Sequence, residues 1–409
     1  MAINLTKILN QVQDRINDSA TSERDLDKLI KVADRINNSG VQVKTYGSTG
    51  QLPTISDSAY IGTIAYVSSD NVFGDSDGRF YYASGTDSGW RGFTTTQDSA
   101  EAQIEVPGDD APAALPFQGV AFGYSMGGSS GNVIEKYPYT ADGDGADVGD
   151  TTTTKLYSAS STSTTHGYVH GGQTGPTSML NVIEKLNFSS EGDATDVGNL
   201  TQQRTQVGGS SGPDYGYAAG GYPYPPIPVT YTNSYEKYAF ASDGNGTDAG
   251  DMTATKTSLA DGVAASTTHG YFTGGQIVPP AAYTNVIEKF PFASDGNASD
   301  VGDLTVARAH HTKSSSDTSG YSAGGMTPPY SDVIDKFPFS TDANATDVGN
   351  LTQARRYVSG SMSTSHGYRH GGNAPNTDTI DKYSFTTDGD ATDVGNLTGT
   401  RYGATGTQN

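Results

Sequence analysis

A single unit written six times constrains this chain more than any other feature. Gly-Tyr-x-x-Gly-Gly begins at Gly123, Gly167, Gly216, Gly270, Gly320 and Gly367, at steps of 44, 49, 54, 50 and 47 residues. Each is followed by an acid–lysine pair: Glu135-Lys136, Glu184-Lys185, Glu236-Lys237, Glu288-Lys289, Asp335-Lys336 and Asp381-Lys382. An aromatic-x-aromatic step (Leu186-Asn187-Phe188 in the second copy) and an Asp-Gly-type turn come next, then Asp-Val/Ala-Gly at Asp147, Asp196, Asp248, Asp300, Asp347 and Asp393. A basic residue (Lys155, Arg204, Lys256, Arg308, Arg355, Arg401) and a Ser/Thr/Gly-rich run lead to the following copy. A unit this short cannot bury its apolar face alone, so the copies must stack. Short runs of Val, Ile, Tyr and Phe between turn residues predict strands, and the fold class is mainly β.

The order of these parts resembles the kelch repeat, in which a strand ending in Gly-Gly, a strand with a late aromatic, a turn, a further strand, an arginine and an inner strand recur. The resemblance covers about 290 residues and implies a six-bladed kelch-like β-propeller of four-stranded blades over residues 116–409. One departure is plain: kelch units usually carry Trp after the turn, where this chain has Asp-Val-Gly. The first copy lacks a preceding basic residue and Ser/Thr run, and residues 401–408, RYGATGTQ, supply that missing piece after the last copy. The tail is therefore expected to pair with the strand containing Gly123, hiding a sheet edge that would otherwise be open.

Upstream, residues 1–40 read as two short amphipathic helices. Leu5, Ile8, Leu9, Val12 and Ile16 mark one face, and Leu26, Leu29, Ile30 and Ala33 the other. Residues 41–97 read as a small β-rich module, with an Asp77-Gly78 hairpin signal. Within it, GTIAYVSSDN (62–71) and GRFYYASGTDSGWRGF (78–93) resemble a module common in virion structural and tail proteins of marine tailed phages. Residues 98–115, acidic and rich in Pro and Ala, read as a linker.

Charge and composition exclude several classes. Forty-five acids against 24 basic residues give a net charge of −21, which argues against nucleic acid and anionic membrane surfaces as partners. No cysteine is present, so disulfides, thiolate metal sites and cysteine nucleophiles are excluded. Copper oxidases similar to galactose oxidase share the kelch-like design, but their cross-linked cofactor needs that cysteine. No signal peptide and no membrane-spanning run are read from the sequence. His166, His269 and His366 precede Gly-Tyr in alternate copies. They are expected to stabilise turns and not to converge on a metal. The Asp-rich turns at 142–147 and 388–393 place oxygens at alternate positions but lack the EF-hand spacing, and hairpin turns account for them. No catalytic set stands out and no cofactor is expected.

What differs between copies is the loop after Gly-Gly, rich in Pro and Tyr. Tyr222, Tyr224, Tyr231, Tyr283 and Tyr330 lie there and are the candidate ligand-binding residues, because proline-stiffened tyrosine gives a rigid, amphipathic contact surface. With the phage resemblance, the expectation is a virion structural protein, a tail- or baseplate-associated fibre or adhesin. Residues 1–97 would bind other virion proteins, and the rim a host-surface glycan or protein, with a homotrimer as one possible assembly. A head decoration or neck scaffold, and a polysaccharide-degrading enzyme, are the alternative readings.

Overall fold

The structure is a computed structural model. It describes the backbone of four strands between residues 44 and 92, and residues 115–409 apart from 116, 224–230 and 260. The chain divides into two compact units, Met1–Ala113 and Ala114–Asn409. The helices expected over 1–40 lie outside the described residues. In the first unit Lys44–Tyr46, Ile64–Val67, Arg79–Ala83 and Trp90–Gly92 form one sheet in that order, the first pair parallel and the rest antiparallel. The expected linker ran to residue 115, but Leu115 is only 3% exposed and packs with Phe117 in the core of the second unit.

The second unit is mainly β, with no helix among the described residues, and none there is long and apolar enough to cross a membrane. Each repeat contributes an antiparallel sheet. The second sheet runs Ala159–Thr162, His166–His170, Val182–Asn187, Thr195–Asn199. The third, fifth and sixth repeat that order, beginning at Gly208–Ser211, Thr312–Ser315 and Ser359–Met362. The first sheet is completed from the other end of the chain. Thr405–Gln408 pairs antiparallel with Phe122–Met126, with Thr405 opposite Met126 and Gln408 opposite Gly123, as the tail was expected to do. The fourth sheet is irregular. It holds His269–Thr273, Val286–Pro291 and Ser299–Asp303, while Asp261–Gly262 crosses to pair in parallel with Thr312 and Lys313 of the fifth.

The acid–lysine strand shows why the repeat is so strict. Its residues alternate between two neighbours, as a strand with period two requires. In the first copy, Ile134 packs with Val169 and Leu186 of the second sheet, and Lys136 pairs with Glu191 there. Glu135 pairs with Arg401 and Tyr137 packs on Tyr368, both on the opposite side. This strand is covered on both sides, so both of its faces are under constraint.

Three sets of contacts repeat around the unit, and in each the last copy engages the first. Lys136, Lys185, Lys237, Lys289, Lys336 and Lys382 pair with Glu191, Asp243, Asp295, Asp342, Asp388 and Asp142 in turn. Lys155, Arg204, Lys256, Arg308, Arg355 and Arg401 pair, fully buried, with Glu184, Glu236, Glu288, Asp335, Asp381 and Glu135. The tyrosine of each Gly-Tyr stacks on the second ring of the next copy's aromatic-x-aromatic step, from Tyr124 on Phe188 (5.1 Å) round to Tyr368 on Tyr139 (4.4 Å). The exposed lysine pairs contribute about 0–1 kcal/mol each. The buried pairs matter through the cost of breaking them, about 3–5 kcal/mol when one partner is removed.

The glycine of Asp-Val-Gly is an interface residue. Gly302 has φ +154°, and a Cβ there would drive into the Ala343 carbonyl of the next copy's turn. Gly302→Ala should therefore lose about 1–3 kcal/mol in urea unfolding, the usual cost of overpacking. Gly296→Ala, where a Cβ meets nothing within 4 Å, should leave the curve unchanged. Equal curves for both variants would refute this account of the motif.

Candidate functional site

The basic residue of each repeat is locked to its acid, and the chain must then turn sharply to enter the next sheet. It does so through one left-handed residue two positions on. These are Tyr157, Gln206, Ser258, His310, Tyr357 and Gly403, with φ between 54° and 64°. Backbone hydrogen bonds link the six in a closed ring. Gln206 N–H donates to Tyr157 O (2.8 Å), Tyr157 N–H to Gly403 O (2.8 Å), Gly403 N–H to Tyr357 O (3.1 Å), Tyr357 N–H to His310 O (3.0 Å) and His310 N–H to Ser258 O (3.0 Å). Leu259 N–H completes it by donating to Gln206 O (3.4 Å).

The loops after Gly-Gly come to the same face, because each opens by pairing with residues beside the ring. Leu156 exchanges backbone bonds with Gln173, Thr205 pairs with Tyr222, Thr257 with Gln276, Ala309 with Met326, and Arg356 with Asn373. Tyr222 and Tyr231 are half-buried and meet edge to face at 5.7 Å. Tyr283 is half-buried, and Tyr330 is exposed. Tyr224 lies outside the described residues. Burial raises the Tyr357 phenol pKa above its ordinary value; Arg356 and a Tyr157 hydrogen bond oppose this, and nearby Tyr283 and Tyr330 add to it.

Sequence reasoning missed the cluster at the ring itself. The Tyr157 and Tyr357 rings lie 4.7 Å apart, His310 sits 4.2 Å from Tyr357, and Tyr402 flanks both tyrosines at 6.4 and 6.0 Å. The Arg356 guanidinium lies over the Tyr357 ring at 4.9 Å and the Tyr330 ring at 5.2 Å, within cation–π range. Burial first, and then Arg356, hold the His310 imidazole well below its ordinary pKa, so it is neutral at physiological pH. A signal for the cluster was present: two residues past an invariant basic position, Tyr, Gln, Ser, His, Tyr and Gly follow one another with no common type.

At the ring is a cavity of about 30 Å³, whose lining includes Tyr157, Gln206, His310, Tyr357, Asp261 and His311. That is room for about one water molecule. Asp261, displaced from the fourth sheet, is part of that lining. Its carboxylate accepts from Thr405 Oγ1 (2.5 Å), Gly406 N–H (3.2 Å) and Ser160 Oγ (3.3 Å). Burial pushes Asp261 up to about 6 against those bonds and the Lys313 charge. Lys313 donates to the Gly209 and Tyr271 carbonyls at 2.7 and 3.2 Å, and burial pushes it down to about 7.

The other candidate chemistry is local. Nδ1 of His166, His269 and His366 each shares a hydrogen bond of 2.8 Å with the hydroxyl one residue earlier, the turn bond expected of them. Among the described residues no group of three His, Asp or Glu side chains is placed to hold a metal ion. The Asp-rich turn at 142–147 spends its oxygens on the fold: Asp142 pairs with Lys382 and Asp144 accepts from Asn396 N–H, both in another repeat, while Asp147 accepts from Gly149 N–H in its own. In comparison with known proteins, the chain matches no family profile and no curated protein sequence.

Proposed function

We propose that residues 116–409 form a six-bladed kelch-like β-propeller carried on a tailed-phage virion as a tail- or baseplate-associated fibre or adhesin, with its loop face turned to a host-surface glycan. The architecture is supported by six sheets in register, three cycles of contacts that return to the first copy, and a C-terminal strand that completes the first sheet. The binding role rests on one observation: five loops of divergent sequence, several bearing tyrosine, converge on one face around a ring of left-handed residues. Loops on a rigid scaffold are where recognition is placed at least structural cost. On the same scaffold the repeated charges are consumed by pairing within the fold. Residues 1–97, which never repeat, serve as the attachment to other virion proteins.

The test is location and adsorption. An electron-microscopy map of the particle should place the protein at the tail tip or baseplate, and virions lacking it should adsorb poorly to the host. A position on the head with normal adsorption would replace the adhesin by a decoration or scaffold protein.

A further inference from the structure

The fate of the basic side chains singles out one residue. Fifteen Lys and Arg lie in residues 115–409. Twelve of them pair with a carboxylate. Lys313 is buried against backbone carbonyls, and Arg369 is buried against the Tyr383 hydroxyl, Ser314 Oγ (3.0 Å) and the Tyr368 carbonyl (2.8 Å). Arg356 alone remains half-exposed and without a carboxylate among the described residues. In a chain of net charge −21 with acids to spare, an accessible cation left unpaired is notable. Its place is notable too, beside the ring and among Tyr157, Tyr330 and Tyr357.

The guanidinium is held but not used up. Nε donates to Asn373 Oδ1 (3.3 Å), Nη1 contacts Met326 Sδ (3.2 Å), and the rings of Tyr330 and Tyr357 hold its plane. Nη2 donates to no described atom, so the outer edge of the fork is open. A planar fork with free donors matches a carboxylate, and phenol rings beside it offer the flat apolar face on which a pyranose stacks. Because the cavity at the ring holds only about one water, the ligand must lie across the mouth and not enter it.

We infer that Arg356, with Tyr157, Tyr357 and Tyr402, forms a saccharide subsite for a carboxylate-bearing sugar, such as a uronic or sialic acid residue, at the centre of the loop face. The inference rests on the glycan-recognition reading and narrows it to acidic saccharides and to one place. It sets the centre of the face apart from the Tyr222–Tyr231 pair on the third repeat's loop.

The experiment uses the full-length chain and calorimetric titration with galacturonate, glucuronate and sialyl oligosaccharides, each beside its neutral methyl ester. At least one acid should bind, its ester about tenfold or more weaker, the range for losing a hydrogen bond to a charged group. Arg356→Gln and Tyr157→Ala should each lose that binding while keeping the parent melting curve; Tyr222→Ala should keep it. Equal affinity for acid and ester, or full binding by Arg356→Gln, overturns the subsite. Titration with intact host-envelope polysaccharide separates the two proposals. Binding there that survives Arg356→Gln but falls with Tyr222→Ala keeps glycan recognition and removes the subsite. No binding to any of these saccharides removes both.

Discussion

Deletion of residues 401–409 should leave a chain that no longer unfolds cooperatively and that aggregates during purification. Several losses coincide. Phe122–Met126 loses its Thr405–Gln408 partner and becomes an open edge, the arrangement that invites pairing with other chains. Glu135, fully buried, loses Arg401 and is left as an uncompensated carboxylate, a cost of about 3–5 kcal/mol by itself. Asp261 loses its bonds from Thr405 and Gly406. The Asn409 carbonyl, which accepts from the backbone N–H groups of Val120, Ala121 and Phe122, is removed as well. Together these approach the whole stability of an ordinary domain, about 5–15 kcal/mol. Size-exclusion chromatography and a circular-dichroism melt of the truncated chain are the measurement; a melt like that of the full chain would mean the last strand closes nothing. Arg401→Met isolates the buried pair, and Glu135→Leu added to it should recover stability, since an apolar pair replaces an ion pair at little cost.

The reason the tail could be placed from the sequence also marks the limit of what was readable. Six ordered copies supply an internal alignment, so a part missing at one end and surplus at the other can be matched without coordinates. The same alignment showed the acid–lysine pair recurring in every copy. It did not give the rule that Ile134 and Lys136 serve one neighbour while Glu135 and Tyr137 serve the other, because that depends on this strand being covered on both faces. Departures from the repeat were the hardest to read. Asp261 is the only acid at a position where the other copies have Ser160, Gly209, Lys313, Gly360 and Gly406, and its carboxylate was a signal that the fourth inner segment is diverted. Tyr157, His310 and Tyr357 escaped notice because their positions carry no common residue type. What unites them is a backbone conformation, positive φ, which non-glycine side chains do not advertise.

Acid should destabilise the second unit steeply, and buried histidines should dominate the slope. His170 and His370 are fully buried, and burial reinforced by nearby cations pushes each down to about 3: Arg204, Lys155 and Lys313 beside the first, Arg401, Arg355 and Arg369 beside the second. His311, near Arg308, Lys313, His310 and Arg369, is also driven well below its ordinary value by burial. All three are neutral in the fold and free to take a proton once unfolded. Their contribution is complete above the ordinary value of 6.5 and is lost as pH falls from there toward 3. Between about pH 7.5 and pH 4.5 His170 and His370 each cost about 2–3 kcal/mol, and His311 acts in the same direction. Asp261 acts in the opposite direction: raised from 3.8 to about 6, it favours folding most when protonated, and this gain disappears as pH rises through 6. That returns only about 2 kcal/mol at the acid end, less than His170 and His370 together lose, so the net change is a loss of stability. Denaturant unfolding across that range gives the slope. His370→Phe tests its origin, because both ring nitrogens of His370 lack partners and the ring packs edge-on against Tyr137 at 5.5 Å. A phenyl ring keeps that contact and cannot be protonated. The variant should lose about 2–3 kcal/mol less than the parent on acidification; an unchanged slope would place the acid sensitivity in the carboxylate pairs instead.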